Sequence, residues 1–465
     1  MAHRRLAHDM IDVFGARTAV ALLGTVTGIV LARTLGPHDR GILALVLLLP
    51  STLVTLAKFG LTQANVYCVR REGASIEQVA ANSLALAVVL GVGIGAVAWW
   101  FRGLLLSTIM REVPAWALLL ALWRLPLLLI DNFFCGVLQA INNFSLYNRR
   151  TVFGAAAVLV LVVGLRVALR LDLFSSVLVY TIVTTVVVGA LVIGTRRLVP
   201  FGLWLDRRLL KRQMRFGMKS YTQILATHLL FRIDVYMVAY FLNPAQTAFY
   251  SLALHFTEMI LEIPQAVGWV IYPRLASLSK DEVHRLTAQA CRRTVLLTGL
   301  GGLVVIAFGP LMVPLWYGKA FAAASKPLAF ATLGMVMMSV FTILTRDFTS
   351  RNNQGVNIRA GTAALVTNVI LNVFMIPTLG ISGAALATSI SYSLAAIMVM
   401  VAYRRESGIA LTEVLIPRLE DARFVYDVTV QAAMRRMRRT PAPLKSALPL
   451  ASEPPPPPLN GQIDR

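Results

Sequence analysis

The segment GISGAALATSISYSLAAIMVMVAY, residues 380–403, carries no charged side chain along its whole length. A helix rises about 1.5 Å per residue, so this stretch reaches across the roughly 30 Å hydrocarbon core of a bilayer. Working back towards the N-terminus, comparable apolar runs lie at roughly 10–32, 41–66, 79–101, 114–139, 151–169, 173–195, 215–241, 246–272, 294–316, 327–348 and 357–377. The shortage of charge is general. Of 465 residues, 14% are charged and 57% hydrophobic, and mean hydropathy is +0.70, whereas soluble domains carry roughly 25% charged residues. Inside hydrocarbon only helices and closed barrels satisfy every backbone N–H and C=O, and these runs are too long for barrel strands. The expected fold class is an all-α polytopic membrane protein of about twelve transmembrane helices.

The net charge of +22 does not point to nucleic acid, because Lys and Arg gather at the ends of the apolar runs and no nucleic-acid-binding module pattern is present. Twelve spans put both termini on one side. The loops on that side, with the termini, hold 31 of the 44 basic residues, and the opposite loops hold eight: Arg33, Arg40, Arg102, Arg111, Arg166, Arg170, Lys319 and Lys326. By the positive-inside rule the richer side is cytoplasmic, in a multi-pass protein of the cell (inner) membrane. The start MAHRRLAHDM leads into a long apolar run with no clear small-residue cleavage site, so an uncleaved first helix is expected. Cys68, Cys135 and Cys291 are odd in number and far apart, which implies neither disulfides nor zinc. His38, His228 and His255 show no ligand spacing and read as surface or packed side chains.

The chain repeats itself at an offset near 208 residues. IleAsnAsn at 141–143 returns as ArgAsnAsn at 351–353, LGPHDRGILAL (35–45) as LNPAQTAFYSLAL (242–254), and LDLFSSVLVY (171–180) as LGISGAALAT (379–388). Six helices per half give both halves the same orientation, with a cleft between two bundles. The expected divisions are an N-terminal six-helix bundle (1–195), a basic inter-bundle linker (196–214), a C-terminal six-helix bundle (215–405) and a basic, Pro-rich cytoplasmic tail (406–465). The linker RRLVPFGLWLDRRLLKRQMR (196–215) is expected as a helix lying on the cytoplasmic surface. Residues 419–440 fit a basic amphipathic helix, and 441–465 a disordered tail with five consecutive prolines.

An ionisable residue inside a span costs about 2.5–3.5 kcal/mol on translocon-based scales, which marks such residues as functional candidates. Arg17, Lys58, Arg124 and Arg232 are assigned to a cationic cleft that binds substrate, because guanidinium groups fork phosphate oxygens. Asp131, Asp234, Glu258 and Glu262 are assigned to coupling or to structural ion pairs. Glu258 and Glu262 share a helix face and repel unless a cation or proton intervenes. Asn368 and Asn372 also share a face, suited to sugar hydroxyls or to joining helices. Gly91, Gly93 and Gly95 sit mid-helix with no strand before them, so they form no nucleotide loop, and no Walker motif exists. No catalytic constellation is found. The chain is not expected to be an enzyme or to use a cofactor or metal.

Several segments are familiar. ARTLGPHDRGILALVLLLPSTLVTLAKFGLTQA (32–64) resembles the first loop and second helix of bacterial polysaccharide flippases of the Wzx type, in the multidrug/oligosaccharidyl-lipid/polysaccharide exporter superfamily. GVLQAINNFSLYN (136–148) looks like the close of their fourth helix, and FRIDVYMVAYFLNPAQTAFYSLAL (231–254) is similar to their seventh-helix Arg-x-Asp and the Leu-x-Pro loop after it. EIPQAVGWVIYPRLA (262–276) and LNVFMIPTLGISGAALATSISY (371–392) match in style and order. The resemblance covers about 1–405. It implies a flippase moving undecaprenyl-diphosphate-linked oligosaccharide from the cytoplasmic to the periplasmic leaflet, for O-antigen, capsule or exopolysaccharide. It also implies two six-helix bundles around a cationic cavity, with Arg232 as the first position to carry over. The implied partners are the lipid-linked oligosaccharide, the bilayer, and a polysaccharide polymerase or glycosyltransferases; no nucleic acid is expected. The lipid II flippases of the superfamily usually add a helix pair, which this chain lacks after Tyr403. Ion-coupled efflux of drug cations and a membrane scaffold recruiting glycosyltransferases are the alternatives.

Overall fold

A computed structural model describes residues 2–168, 171–202, 205–275, 278–351 and 353–423. The described residues form α1 (Ala2–Ala57), α2 (Leu61–Arg70), α3 (Ile76–Trp100), α4 (Arg102–Ser107), α5 (Ala115–Ala140), α6 (Phe144–Ala168) and α7 (Leu173–Leu198). They continue as α8 (Arg207–Phe241), α9 (Pro244–Leu275), α10 (Lys280–Tyr317), α11 (Ser325–Ser350), α12 (Gln354–Ser407) and α13 (Leu411–Leu415). A 3-10 helix, Lys319–Ala324, joins α10 to α11. No strand occurs among the described residues. Nine of their helices are long and apolar enough to cross a membrane. The outer surface is apolar too, with Val89, Val167, Leu303 and Phe374 each more than half exposed, as lipid contact requires. The chain is a multi-pass membrane protein.

Two helices are broken in the middle. In α1, Gly36 takes φ 72° and ψ 178°, and in α12 Gly380 takes φ 61° and ψ −143°. Such angles are open to glycine and strained for other residues. Pro37 follows the first break at once, where its missing N–H costs nothing. Pro244 likewise opens α9, directly after the break that ends α8. The three repeat pairs all fall at such punctuation. Ile141 and Arg351 cap the C-termini of α5 and α11, and Asp172 caps α7 where its counterpart Gly380 breaks α12.

The basic segment departs from the expected surface helix. α7 ends at Leu198, and after a short loop α8 runs unbroken from Arg207 to Phe241. Asp206 fixes its start by accepting from the N–H groups of Arg208 and Leu209 (2.8 and 3.0 Å). Arg207, Arg208, Lys211, Arg212 and Arg215 therefore form an exposed stripe on the first turns of a helix that goes on into the apolar region. Trp204 lies outside the described residues.

One apolar core is built mainly by α1–α7 around Leu43, Leu125, Phe133 and Phe134, with Leu209 and Ala239 of α8. A second, around Tyr250 and Phe321, joins Ala32 of α1 to α8–α12, and two more lie among α8–α13 around Ile343 and Phe348 and around Met335 and Tyr392. Residues 418–465 form a unit of their own, described over 418–423, where the Arg418 N–H donates to Asp421 (3.0 Å). Apart from that turn, the expected amphipathic helix at 419–440 and the tail at 441–465 lie outside the described residues.

Candidate functional site

Where α1 meets α8 and α9, charged and polar side chains converge. His228 and Arg232 lie one turn apart on α8, and His255 and Glu258 one turn apart on α9. Arg232 donates through both terminal nitrogens to the two Glu258 oxygens, at 2.7 and 3.2 Å. This is the bidentate fork in which guanidinium and carboxylate bind best. The pair is only partly covered, with the side chains 33% and 25% exposed. His228 Nε2 and Thr52 Oγ1 of α1 share a hydrogen bond of 3.3 Å. His255 Nε2 meets Thr25 Oγ1, also at 3.3 Å; Thr25 already donates its proton to the Ala21 carbonyl, so the imidazole N–H is the donor. Lys58 and Arg232 are the cationic neighbours of His228. Lys58 does not lie mid-helix, as the run 41–66 had suggested. It occupies the turn between α1 and α2, where Phe59 and Gly60 have positive φ.

Two close approaches of bare backbone also join α1 and the turn after it to α9 and α8. A side chain on Gly41 would collide with the Pro244 carbonyl, and one on Gly60 with Gly217, where the chains approach backbone to backbone. Near Gly41, Arg33 donates to the Trp316 carbonyl (2.7 Å) and to that of Leu315, satisfying the C-terminal end of α10. Near Gly60, the Tyr221 hydroxyl of α8 donates to the Leu56 carbonyl of α1 (2.5 Å).

A second polar centre lies inside α8, α9 and α12. Asp234, fully buried, accepts from the Tyr250 hydroxyl (2.6 Å), the Thr388 hydroxyl (3.0 Å) and the Val235 N–H (2.8 Å). Asn368 donates to Thr388 (3.4 Å), and Asn372 donates to Asn368 (2.9 Å). The Asn372 carbonyl oxygen is buried with no hydrogen-bond partner among the described residues, and Asp234 forms no salt bridge there. Asp234, Tyr250, Thr388, Asn368 and Asn372 thus form one fully buried, hydrogen-bonded, oxygen-rich nest that includes a carboxylate and an unused acceptor.

The remaining candidates lie elsewhere. Arg124 is inside α1–α7, 8% exposed, its Nε 3.4 Å from the Thr184 hydroxyl and its guanidinium 5.9 Å from the Tyr180 ring centre. Asp131 pairs with Arg150 at the start of α6, a residue the sequence had placed in a loop. Arg17 is exposed on α1 and neighbours Tyr147. Glu262 is exposed, one turn beyond Glu258. Arg232 and Glu258 therefore come together, and His228 has both Arg232 and Lys58 in its electrostatic surroundings. Sequence reasoning passed over His228, His255, Arg150, Tyr250 and Thr388. The signal for the histidines was their one-turn spacing from Arg232 and Glu258.

Known proteins bear on this arrangement. The profile of the family described as "Polysaccharide biosynthesis protein" matches residues 6–279. "Probable low-salt glycan biosynthesis flippase Agl15" of Haloferax volcanii is 27% identical over 165 residues, 35% of this chain and 35% of the relative. The chain thus spans about a third of the length of the curated relatives it matches. Among solved structures, "Lipid II flippase MurJ, inward closed conformation" superposes with a TM-score of 0.70 at 12% identity, over 93% of this chain and 100% of that one. The inward-facing conformation of a multidrug resistance MATE family transporter of the MOP superfamily gives 0.64 at 18% identity, over 84% and 94%. At such identities the structures show the fold alone.

Proposed function

Because the chain belongs to the polysaccharide biosynthesis protein family, flippases of the multidrug/oligosaccharidyl-lipid/polysaccharide superfamily and not enzymes, we propose that it flips a lipid-linked oligosaccharide from the cytoplasmic to the outer leaflet of the cell membrane for surface glycan assembly. In this reading twelve crossings form two six-helix bundles, 1–195 and 215–405, joined by 196–214. Broken helices α1 and α12 each cross twice, and α9, 32 residues long, supplies the crossing beyond the nine candidate spans. Both termini are cytoplasmic, on the side rich in Arg and Lys. The cleft between the bundles opens to one side and then the other, and the polyprenyl tail stays in lipid.

The observation that carries this reading is the Arg232–Glu258 fork beside His228 and Lys58 at the junction of α1 with α8 and α9. A diphosphate is the kind of anion that can displace Glu258 from a guanidinium already posed for bidentate binding. The freed Glu258 then takes a proton or another cation, which ties loading of the cleft to its electrostatic state. We assign the coupling charge to the Asp234 nest, since it is buried, close along α8 to Arg232, and bonded to α9 and α12 at once. The test uses a strain lacking the gene. Polyprenyl-diphosphate oligosaccharide is expected to accumulate, and the wild-type gene to relieve it. Arg232→Ala is expected to reach the membrane in normal amount and to restore less than a tenth of the surface glycan. Full restoration by Arg232→Ala would remove that residue from the path. No accumulation, together with altered drug resistance, would favour efflux of organic cations.

A further inference from the structure

Apart from the junction with α8 and α9, a cavity of about 320 Å³ opens among α1, α5, α6 and α7. Its polar wall carries the Asp131–Arg150 ion pair, Thr151, Tyr180 and Thr184, and valines of α6 and α7 form much of the remainder. Behind Tyr180 and Thr184 stands Arg124, more than nine-tenths buried, its Nη1 without a hydrogen-bond partner among the described residues. Arg150 Nε is buried and equally unmatched. Two buried guanidinium N–H groups lacking acceptors, at and beside a cavity with aliphatic walls, are costly unless a ligand serves them. Hydrocarbon serves neither. A simple anion serves the arginines but meets the Asp131 carboxylate. A sugar ring presents hydroxyls that donate to Asp131 and accept from arginine, and C–H faces that lie against valine and the Tyr180 ring.

We propose that this cavity is a subsite for one sugar ring of the carried glycan; only the origin of that sugar rests on the flippase reading. Gly24 of α1 lines the cavity, and a Cβ built there meets nothing within 4 Å, so Gly24→Leu fills the space without a clash at the attachment point. The full-length protein in nanodiscs is titrated by saturation-transfer NMR with free hexoses, N-acetylhexosamines and hexuronic acids. At least one class is expected to bind saturably, with a Kd on the order of 1 mM. Gly24→Leu is expected to abolish that binding, Asp131→Asn to weaken it at least tenfold, and the lipid-facing control Val89→Ala to leave it intact. A panel in which no sugar binds, or binding unchanged in Gly24→Leu, would overturn the proposal. Sugar binding that Gly24→Leu abolishes, in a protein whose gene loss accumulates no lipid-linked glycan, would leave the subsite standing and remove the flippase. Normal flipping with no sugar bound would do the reverse.

Discussion

At the scale of single residues, the decisive contrast is between two acids on neighbouring helices. Glu258 has a cation in a partly open site, whereas Asp234 has only hydroxyl and backbone donors in a closed one. An exchangeable pair suits substrate, and a carboxylate enclosed by oxygen ligands suits a proton or monovalent cation. Asp234→Asn keeps the size of the side chain and removes its charge, so the protein should fold and insert. It is expected to lose at least tenfold in flipping and to lose the dependence of flipping on the coupling ion, read by varying pH and sodium in vesicles. An unchanged ion dependence would leave Asp234 as helix-joining structure. The sequence made Arg232, Asp234 and Glu258 visible, because charge inside a span is costly and rare. It hid Tyr250 and Thr388, which are common as packing residues, since Thr388 reaches Asp234 across 154 positions of chain. Arg150 was hidden by its place near the end of a span, where a basic residue reads as a topology signal.

At the scale of elements, apolar length marked the nine long apolar helices among the described residues, and the repeat pairs fall at helix ends and breaks. Tertiary contact decided the rest. The turn at Lys58–Gly60 interrupts an apolar run at the point where Gly60 lies against Gly217, and the basic residues of 207–215 continue into α8 because the helix had no reason to stop. We propose that the two glycine approaches act as seals of the junction, and the one at Gly41 can be tested. Gly41→Val cannot close against Pro244, so that side should stay open. In a cysteine-free background, a single cysteine at Thr25 is expected to react severalfold faster with an impermeant maleimide added outside when Gly41→Val is present; equal rates would show that the contact does not gate access. A smaller effect belongs to α7. Asp172 accepts from the Ser175 N–H (2.8 Å), completing a capping box, and these bonds hold its carboxyl below the usual range. A lowered pKa means the stabilisation is present above the ordinary carboxylate pKa of about 4 and is lost as pH falls through the lower folded value. Asp172→Ala should cost about 1 kcal/mol, seen as a lower Tm in detergent at pH 7 and no difference from wild type in strong acid.

At the scale of the molecule, the multi-pass helical class was legible because it is a sum over many residues. The proposed like orientation of the two halves and the proposed sidedness rest in the same way on the internal repeat and on the charge bias of the loops. The junction was not legible, since it depends on how α1 leans on α8 and α9. That lean brings Thr25 and Thr52 of α1 to His255 and His228, beside the Arg232–Glu258 pair, while the Asp234 centre is built by α8, α9 and α12 without α1. In the proposed function the junction opens to pass a lipid-linked glycan from one leaflet to the other. Purified protein reconstituted into liposomes with a polyprenyl-diphosphate oligosaccharide, fluorescently labelled on its sugar, gives the most direct test. A lectin or impermeant quencher added outside reports the fraction exposed over time. Wild-type protein is expected to make the inner pool accessible within minutes, and Arg232→Ala to hold it near the protein-free rate. Equal, slow exposure in all three vesicle sets, with each protein folded and inserted, would show that the protein does not flip this lipid.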